Sequence, residues 1–262
     1  MIMKRILLLT IAFLAVVSCS REGGSDTPGG EPYFSVSKDL KVQFAPGNLG
    51  YDKSTGYIFV STIEQGTLFC WGTGDRPLFR SDDVDFNEFK TFVDWGDYVA
   101  VEPGGWRTPK SDELGYIFDY RKNCSNLKAG ATVCGRYGAL LLPDNWKAPK
   151  GIKVKPYNGD TTRFSDNVFD NDSWAKMAAA GAVFLPYYEA TEKNRYGDDF
   201  YKPLGEYHTC SNYVYGGYEY NYTAAFAAVG NIELGNGANL LWYNKQRSRC
   251  DRAAVRLVRN LE

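Results

Sequence analysis

The residues with the clearest chemical potential lie in one short segment, residues 205–213, with the sequence GEYHTCSNY. It contains His208, the only histidine of the 262-residue chain, and Cys210 two positions later. In a β-strand, side chains at positions i and i+2 share a face, so the two Cα atoms would stand roughly 7 Å apart. A cysteine beside a histidine can form a nucleophile and its general base. The segment could therefore be an active site or an ordinary strand.

Catalysis by this pair needs more than proximity. A thiolate nucleophile requires a lowered pKa and a third group that orients the histidine. Asn212 is the polar neighbour of the pair, but strand alternation directs it to the opposite face. The sequence therefore favours His208 as a polar residue on a sheet face or at a binding rim, with catalysis by Cys210 kept as an alternative.

Composition limits the classes of partner. Lys and Arg number 30 against 31 Asp and Glu, so no basic excess indicates nucleic-acid binding. Hydrophobic residues make up 44% of the chain, which is enough for a substantial core. Aromatic residues make up 15%, with 19 tyrosines, and this content is typical of β-rich proteins and of surfaces that bind sugars or proteins.

The N-terminus indicates export. Lys4 and Arg5 precede an apolar run, residues 6–17, that is too short for a transmembrane helix and typical of a signal peptide. The run ends in VVSC, which resembles the bacterial lipobox and implies cleavage before Cys19 with lipid attached to that residue. Several acyl chains on one residue anchor a protein stably in a membrane. We therefore expect a lipoprotein signal peptide over residues 1–18.

A tether is predicted after the cleavage site. Residues 19–32 hold the lipidated cysteine and a stretch rich in Gly, Ser and Pro with no apolar period, which is typical of a flexible linker. Residue 20 is Ser rather than Asp, which by resemblance to lipoprotein sorting in Gram-negative bacteria predicts the outer membrane, with display on the cell surface. A single folded domain is expected over residues 33–262.

The folded part is predicted to be α+β. One helix should be capped by Thr108 or Ser111, with Leu114, Ile117 and Phe118 as its apolar stripe. A second should be capped by Asp172 or Ser173, face inward with Trp174, Met177 and Ala178, and end at Gly181. Strands before, between and after two helices are typical of an α+β protein rather than of alternating βαβ units. Further predicted features are a long ordered loop over 72–105 and strands within 33–44, 56–63, 66–72, 137–142, 182–186, 205–213, 221–229, 238–244 and 253–260.

Four sequence blocks resemble those of a family of Bacteroidetes surface lipoproteins related to the fibrobacter major paralogous domain. The resemblance implies a fold similar to C-type lectins and formylglycine-generating enzymes, with mixed or antiparallel sheets, two main helices and long ordered loops. It implies no chemistry, because such folds host sugar binding, protein binding and oxidation. The blocks occur in family order and are VQFAPGNLGYD (42–52), GGWRTPKSDEL (104–114), GALLLPDNW with AAGAVFLP (138–146 and 179–186) and AAVRLV (253–258).

Two cysteines depart from the family pattern. Cys210 lies in YHTCS where relatives usually have YWSST, and Cys250 lies near the C-terminus where relatives usually have no cysteine. In the lectin-like fold the two segments share a small sheet, so the resemblance implies a Cys210–Cys250 disulfide. Cys124 and Cys134 flank a predicted loop or hairpin and could also pair, since exported proteins meet an oxidising environment. Five cysteines remain after lipidation, so at least one stays unpaired within the chain.

No cofactor is expected. One histidine and scattered cysteines without a C-x2-C unit do not make a structural zinc site. Calcium could bind at acidic clusters such as residues 82–85 or 170–172, although such residues more often lie in solvated loops or cap helices. Glu102 and Pro143 begin short segments, EPG and PDNW, that do not have the form of the C-type-lectin calcium motifs.

Three aromatic segments, 187–202, 213–222 and 241–252, supply the predicted binding surface, because Tyr, Trp and Arg dominate interface energetics. We expect a lipid-anchored surface protein that binds a glycan or a surface protein, without catalytic activity. The alternatives are a structural component of an envelope or fimbrial complex, and an enzyme of the formylglycine-generating type that uses Cys210. The predicted surface residues are Arg195 with Tyr196, Tyr207, His208, Tyr215, Tyr218, Trp242, Tyr243, Arg247 and Arg249.

Overall fold

The two ends of the domain meet in one antiparallel sheet. A computed structural model of the protein describes residues 30–77, 91–157, 163–193, 199–215, 218–227, 241–247 and 252–262. The sheet has the order β1-β2-β14-β5, so the last strand lies between two early ones. These strands are β1 (Phe34–Ser35), β2 (Lys41–Phe44), β5 (Trp106–Arg107) and β14 (Val258–Leu261).

A second sheet forms the middle of the domain. Its hairpin consists of β6 (Lys128–Val133) and β7 (Arg136–Leu141), paired in register from Lys128 opposite Leu141. β9 (Val183–Pro186) adds antiparallel to β7, and β8 (Val168–Phe169) adds parallel to β6. All four residues of β9 are buried, which explains why its sequence is continuously apolar.

The third sheet contains the segment GEYHTCSNY. It has the order β10-β11-β12-β13, and all its strand pairs are antiparallel. Its strands are β10 (Tyr188–Lys193), β11 (Asp199–Tyr215), β12 (Tyr218–Ala227) and β13 (Leu241–Arg247). A separate hairpin joins β3 (Leu49–Asp52) to β4 (Gly56–Phe59).

The first predicted helix forms, but with a different cap. α1 spans Ser111–Gly115 and continues as one turn of π-helix, Tyr116–Tyr120. Glu113 caps it by accepting a hydrogen bond from the Lys110 backbone N–H at 2.7 Å. Neither predicted cap is used, because the Thr108 hydroxyl donates to Asp94 at 2.8 Å and Ser111 is itself the first residue of the helix. The predicted stripe of Leu114, Ile117 and Phe118 is buried.

The second predicted helix is confirmed as α2, Asn171–Ala179. Its cap is Asp170 rather than Asp172 or Ser173, since the Asp170 carboxylate accepts from the Ser173 backbone N–H at 2.8 Å. Trp174 and Met177 face the core as predicted. Gly181 ends the segment with φ of +91°, a conformation that residues with a Cβ rarely adopt.

Buried side chains form three hydrophobic clusters, one centred on α1 and the first sheet, one between α2 and the second sheet, and one around Phe69, Trp95 and Trp106. The α+β class is thus confirmed. The predicted strand at 66–72 is wrong, because Phe69 makes only an isolated bridge to Ala253 while Thr73 folds back to the Cys70 carbonyl. In the described part of 72–105, a 3-10 helix, Trp95–Tyr98, interrupts the loops.

Residues 32–262 form one compact unit. Within the described ranges, no helix has the length and apolar character needed to cross a membrane.

Candidate functional site

The segment GEYHTCSNY enters the core instead of lining a surface. Residues 205–209 of β11 are all buried, so both faces of the strand are covered along this stretch. One edge of this stretch forms backbone hydrogen bonds with Ala254. The His208 N–H donates to the Ala254 carbonyl at 2.8 Å, and the Ala254 N–H donates to the Glu206 carbonyl at 3.0 Å. A register shift between His208 and Asn212 interrupts the regular pairing of β11 with β12. Cys210, Ser211 and Asn212 are more exposed than residues 205–209.

His208 is a core residue. Its ring stacks on Trp95 with centroids 5.6 Å apart and planes 17° from parallel, and its Nε2 lies 2.7 Å from the Phe69 carbonyl oxygen. A carbonyl oxygen can only accept, so Nε2 carries the proton. Burial lowers the pKa of His208 to about 4, against the smaller opposing effects of the Phe69 carbonyl and Glu206. The imidazole is therefore neutral at pH 7, and the prediction of His208 at a binding rim is wrong.

Tyr207 is buried on the opposite face of the same strand. Its hydroxyl donates to the Pro186 carbonyl at 2.9 Å and accepts from Asn48 Nδ2 at 3.2 Å. Burial raises the pKa of Tyr207 well above its ordinary value, with only partial compensation from Asn48 and Arg256. The prediction of Tyr207 as a surface residue is also wrong, because its side chain is buried and its hydroxyl is hydrogen-bonded within the core.

Asn48 and Arg256 form a buried polar centre that the sequence analysis missed. Asn48 Nδ2 donates to the carbonyls of Glu64 and Gln65 at 3.1 and 3.0 Å, and Asn48 Oδ1 accepts from Arg256 Nη1 at 3.2 Å. Burial lowers the pKa of Arg256 to about 10, and its Nε has no hydrogen-bond partner among the described residues. The available signal was one arginine between apolar residues in AAVRLV.

Cys210 lies at the edge of this core, half-buried beside the start of α1. Its backbone N–H donates to the Pro109 carbonyl at 3.0 Å. Burial raises the pKa of the Cys210 thiol to about 11, together with the carboxylates of Asp94 and Glu113, and outweighs the opposing charges of Arg107 and Lys110. The thiol is therefore protonated at neutral pH, which is the opposite of what an activated nucleophile needs.

The charged groups near Cys210 are engaged with one another. Arg107 binds both oxygens of Glu113 at 2.7 Å, in the paired geometry that favours a stable Arg–carboxylate contact. Arg107 also donates to Asn260 in β14. Asp94 accepts from the Thr108 backbone N–H at 3.0 Å. These contacts join α1 to the first sheet and give Arg107, Glu113 and Asp94 structural roles.

The predicted Cys124–Cys134 disulfide is wrong. Both thiols are free. The whole of β6 separates them, and its six residues span about 17 Å at the usual rise of a strand. A disulfide needs Cα atoms within about 7 Å, and the one 3-10 turn that follows Cys124 is too short to recover the difference. Cys124 Sγ instead donates to the Asp119 carbonyl at 3.4 Å.

The Cys210–Cys250 disulfide stays a prediction. Cys210 carries a free thiol here, and Cys250 lies outside the described residues. Cys70 is fully buried. The lipidation residue, Cys19, also lies outside the described residues.

The remaining predicted surface residues fall on the third sheet or outside the described ranges. Tyr215 ends β11 and Tyr218 begins β12, where the two residues pair directly. Trp242, Tyr243 and Arg247 belong to β13, which pairs with β12. Arg195, Tyr196 and Arg249 lie outside the described residues. The sheet therefore joins aromatic segments that are separated along the chain.

Within the described ranges, no group of three or more His, Cys, Asp or Glu residues is arranged to hold a metal ion. Of the two acidic clusters considered for calcium, residues 82–85 lie outside the described residues. The other contains Asp170, whose carboxylate is the cap of α2. Hydrogen bonds from the Ser173 side chain and backbone hold the pKa of Asp170 below its usual value.

His208 and Cys210, the two residues that suggested an active site, thus have neutral side chains at pH 7, one buried in the core and one at its edge. The polar residues found beside them tie distant segments together. Comparison with protein-family models, curated proteins and solved structures found no match to this chain.

Proposed function

We propose that the protein is a lipid-anchored binding protein of the bacterial outer membrane, displayed on the cell surface by a C-type-lectin-like domain. The observation that carries the proposal is the third sheet. It brings the aromatic segments around Tyr215, Tyr218 and Trp242 together as neighbouring strands, although up to 27 positions separate them in the sequence. A continuous aromatic sheet can bury much ligand area at low cost in side-chain entropy.

The fold assignment is supported by contacts among the four sequence blocks. Val258 of the last block pairs with Phe44 of the first and with Arg107 of the second. Both parts of the third block pair with each other, from Gly138 opposite Pro186 to the far ends of β7 and β9. Blocks that share sheets with one another are expected if together they specify one fold.

Binding is favoured over catalysis by the state of the two reactive side chains. A histidine with a pKa of about 4 that donates Nε2–H to a backbone carbonyl cannot readily take a proton from a thiol. A thiol with a pKa of about 11 supplies little thiolate at neutral pH. These features support a structural role for the segment that resembles an active site.

The lipid anchor is supported by the sequence of the N-terminus alone. Cys19 follows an apolar run of signal-peptide length, and residues 19–32 would act as the spacer between membrane and domain. Metabolic labelling with radioactive palmitate tests it. The wild-type chain should incorporate label and fractionate with the outer membrane, whereas Cys19→Ala should do neither.

Binding is tested with the purified full-length protein in detergent micelles. It is presented to arrays of glycans and to extracts of surface proteins labelled for pull-down. The proposal expects saturable binding on at least one of the two. Absence of any ligand at high protein concentration in both experiments contradicts a binding function, and protease resistance of the domain on intact cells contradicts its surface display.

A further inference from the structure

One surface segment of the domain contains several lysines and no acidic residue. Residues 145–157, which we call the basic segment, have the sequence NWKAPKGIKVKPY. The whole chain has 30 basic and 31 acidic residues, so this local excess does not follow from the overall charge. All four lysines of the segment are exposed, namely Lys147, Lys150, Lys153 and Lys155.

The basic segment is held against the core by its apolar side chains and its backbone. Ile152 and Val154 are partly buried and pack against the cluster between α2 and the second sheet. They alternate with the exposed Lys153 and Lys155, so the lysines are directed towards solvent. The Lys155 backbone N–H donates to Asn167 Oδ1 at 2.8 Å, and the Lys155 carbonyl accepts from Asn167 Nδ2 at 3.0 Å. The lysines are therefore displayed from an ordered surface.

Neighbouring acidic side chains do not neutralise the whole segment. Lys155 pairs with Asp166 at 3.0 Å. Asp144, the acidic residue that precedes the segment, is bound by the buried Arg121 at 2.8 Å. Within the described ranges, Lys150 and Lys153 form no ion pair. The segment therefore keeps an excess of positive charge at its surface.

The basic segment begins where the chain enters the domain from the predicted tether. The Asp144 backbone N–H donates to the Tyr33 carbonyl at 2.8 Å, and its carboxylate accepts from the Ser35 N–H at 3.1 Å. Lys147 follows three positions later. Whatever their conformation, the 14 positions from Cys19 to Tyr33 can span at most about 50 Å. With lipid on Cys19, this edge of the domain is thus tied to the membrane by a short length of chain.

We propose that the basic segment contacts the anionic phosphates at the surface of the membrane that holds the lipid anchor. This inference rests on the proposed anchor at Cys19 and adds the surface by which the domain meets the membrane. Lysines are attracted to an anionic lipid surface, but this attraction decays within about 8 Å at physiological ionic strength. The short tether matters because it keeps the segment near that surface. Basic residues beside a lipid anchor act as a second membrane-binding signal.

The form of the segment favours a surface of many phosphates over a single bound phosphate ion. Its four lysines are spread over nine positions and are all exposed, so they do not enclose a pocket. Lysine acts as a hydrated point charge, whereas arginine, which the segment lacks, binds one phosphate with two parallel hydrogen bonds. Separate lysines can each meet a different headgroup of a membrane.

The test uses the lipoprotein isolated from the outer membrane and reconstituted into phosphatidylcholine vesicles, with or without phosphatidylglycerol. Lysines are acetylated to a low extent with a water-soluble reagent, and the rate at each lysine is measured by mass spectrometry of peptides. Phosphatidylglycerol should slow acetylation of Lys150 and Lys153 about fivefold, the size expected for one lysine near an anionic surface. Salt at about 1 M should abolish this protection, because it screens charges beyond about 3 Å.

Lys53 is the internal control, because it is exposed in the turn of the β3–β4 hairpin, and its rate should not change. Combining Lys150→Gln with Lys153→Gln should return the acetylation of Lys147 in phosphatidylglycerol vesicles to its rate in pure phosphatidylcholine. Lys53→Gln should leave the protection of Lys147 intact. Thermal melts establish that the variants fold, and the comparison of vesicles with the wild-type chain does not depend on them.

Equal acetylation of Lys150 and Lys153 in the two kinds of vesicle overturns the inference. Protection that persists at high salt, or that extends equally to Lys53, also overturns it. Protection by inorganic phosphate in pure phosphatidylcholine vesicles assigns the segment to a soluble anion and overturns the membrane contact. Each of these results leaves the lipid anchor standing if the protein floats with both kinds of vesicle. Failure to float with pure phosphatidylcholine contradicts the anchor, and the inference with it.

Discussion

Asn48 accepts a hydrogen bond from Arg256 at 3.2 Å, although 208 positions separate the two residues. Asn48 belongs to the turn before β3, and Arg256 lies just before β14, so the contact joins the beginning and the end of the domain. Asn48 also donates to two carbonyls of the 64–65 loop and to Tyr207 of β11. One buried amide therefore links four segments of the chain.

Replacing Asn48 by Ala should lower the free energy of unfolding by about 3 kcal/mol, since the carbonyls of Glu64 and Gln65 and the guanidinium of Arg256 would lose a buried partner. Urea unfolding followed by tryptophan fluorescence measures the change. Asn126→Ala is the matched control, because Asn126 is exposed, and it should change stability by less than about 0.5 kcal/mol. Equal stability of the two variants would show that the Asn48 network contributes little.

The only histidine should make stability depend on pH. The pKa of His208 is about 4 in the folded protein, against an ordinary value near 6.5 when the chain is unfolded. The unfolded state therefore binds the extra proton between these values, so stability is full above pH 6.5 and is lost as the pH falls towards 4. We expect wild type to lose about 2 kcal/mol more than His208→Gln between pH 7 and pH 5. Parallel pH dependence of the two proteins, measured by urea unfolding, contradicts a buried neutral imidazole.

Local signals in the sequence predicted much of the fold. α2 was found because its apolar residues recur at helical spacing and a glycine ends it. In the second sheet, β7 and β9 were found because they are short apolar runs, whereas β6 and β8 were not predicted as strands. The burial of Tyr207 and His208 could not be predicted in this way. Neighbours on a strand face opposite sides, and both are buried only because Asn48 and Pro186 cover one side while Phe69 and Trp95 cover the other. Apart from the contact with Pro186, each of these contacts joins residues that are more than 100 positions apart in the sequence.

The same limit applies to the candidate site. The sequence showed that residues 213–222 are rich in tyrosine, but the segment could not be divided into faces without its pairing partners. Strand alternation separates Trp242 from Tyr243, two neighbours that had been assigned to one surface, and the register shows which positions of β11, β12 and β13 share a face. The pairing of Cys124 with Cys134 failed for a related reason, because a span of ten residues can be either a tight loop or a strand.

The buried ion pair between Arg121 and Asp144 should contribute more to stability than the more exposed pair between Lys155 and Asp166. Arg121 is fully buried, and its Nη1 donates to Asp144 at 2.8 Å and to the Leu142 carbonyl. Its Nε and Nη2 donate to the carbonyls of Ile117 and Leu127. Asp144→Ala leaves a buried charge without its counter-ion and should cost about 3 kcal/mol or more. Lys155→Ala removes the half-exposed Lys155–Asp166 pair and should cost less than about 1 kcal/mol. Thermal melts of both variants at equal ionic strength give the comparison, and a similar loss in the two would contradict it.

The cysteines provide the last prediction. Mass spectrometry of unreduced peptides from protein isolated from the outer membrane should show Cys210 bonded to Cys250, with no peptide that joins Cys124 to Cys134. Cys70 should react with a thiol reagent only after unfolding, because its side chain is fully buried.

After mild reduction, alkylation of Cys210 by iodoacetamide should be slow at pH 7.4 and should accelerate as the pH rises towards the thiol pKa of about 11, since burial and the carboxylates of Asp94 and Glu113 disfavour the thiolate. Rapid alkylation of Cys210 at pH 7.4 would contradict the raised pKa and support a nucleophilic role for this residue. A disulfide-linked peptide that contains Cys124 and Cys134 would contradict the six-residue strand between them.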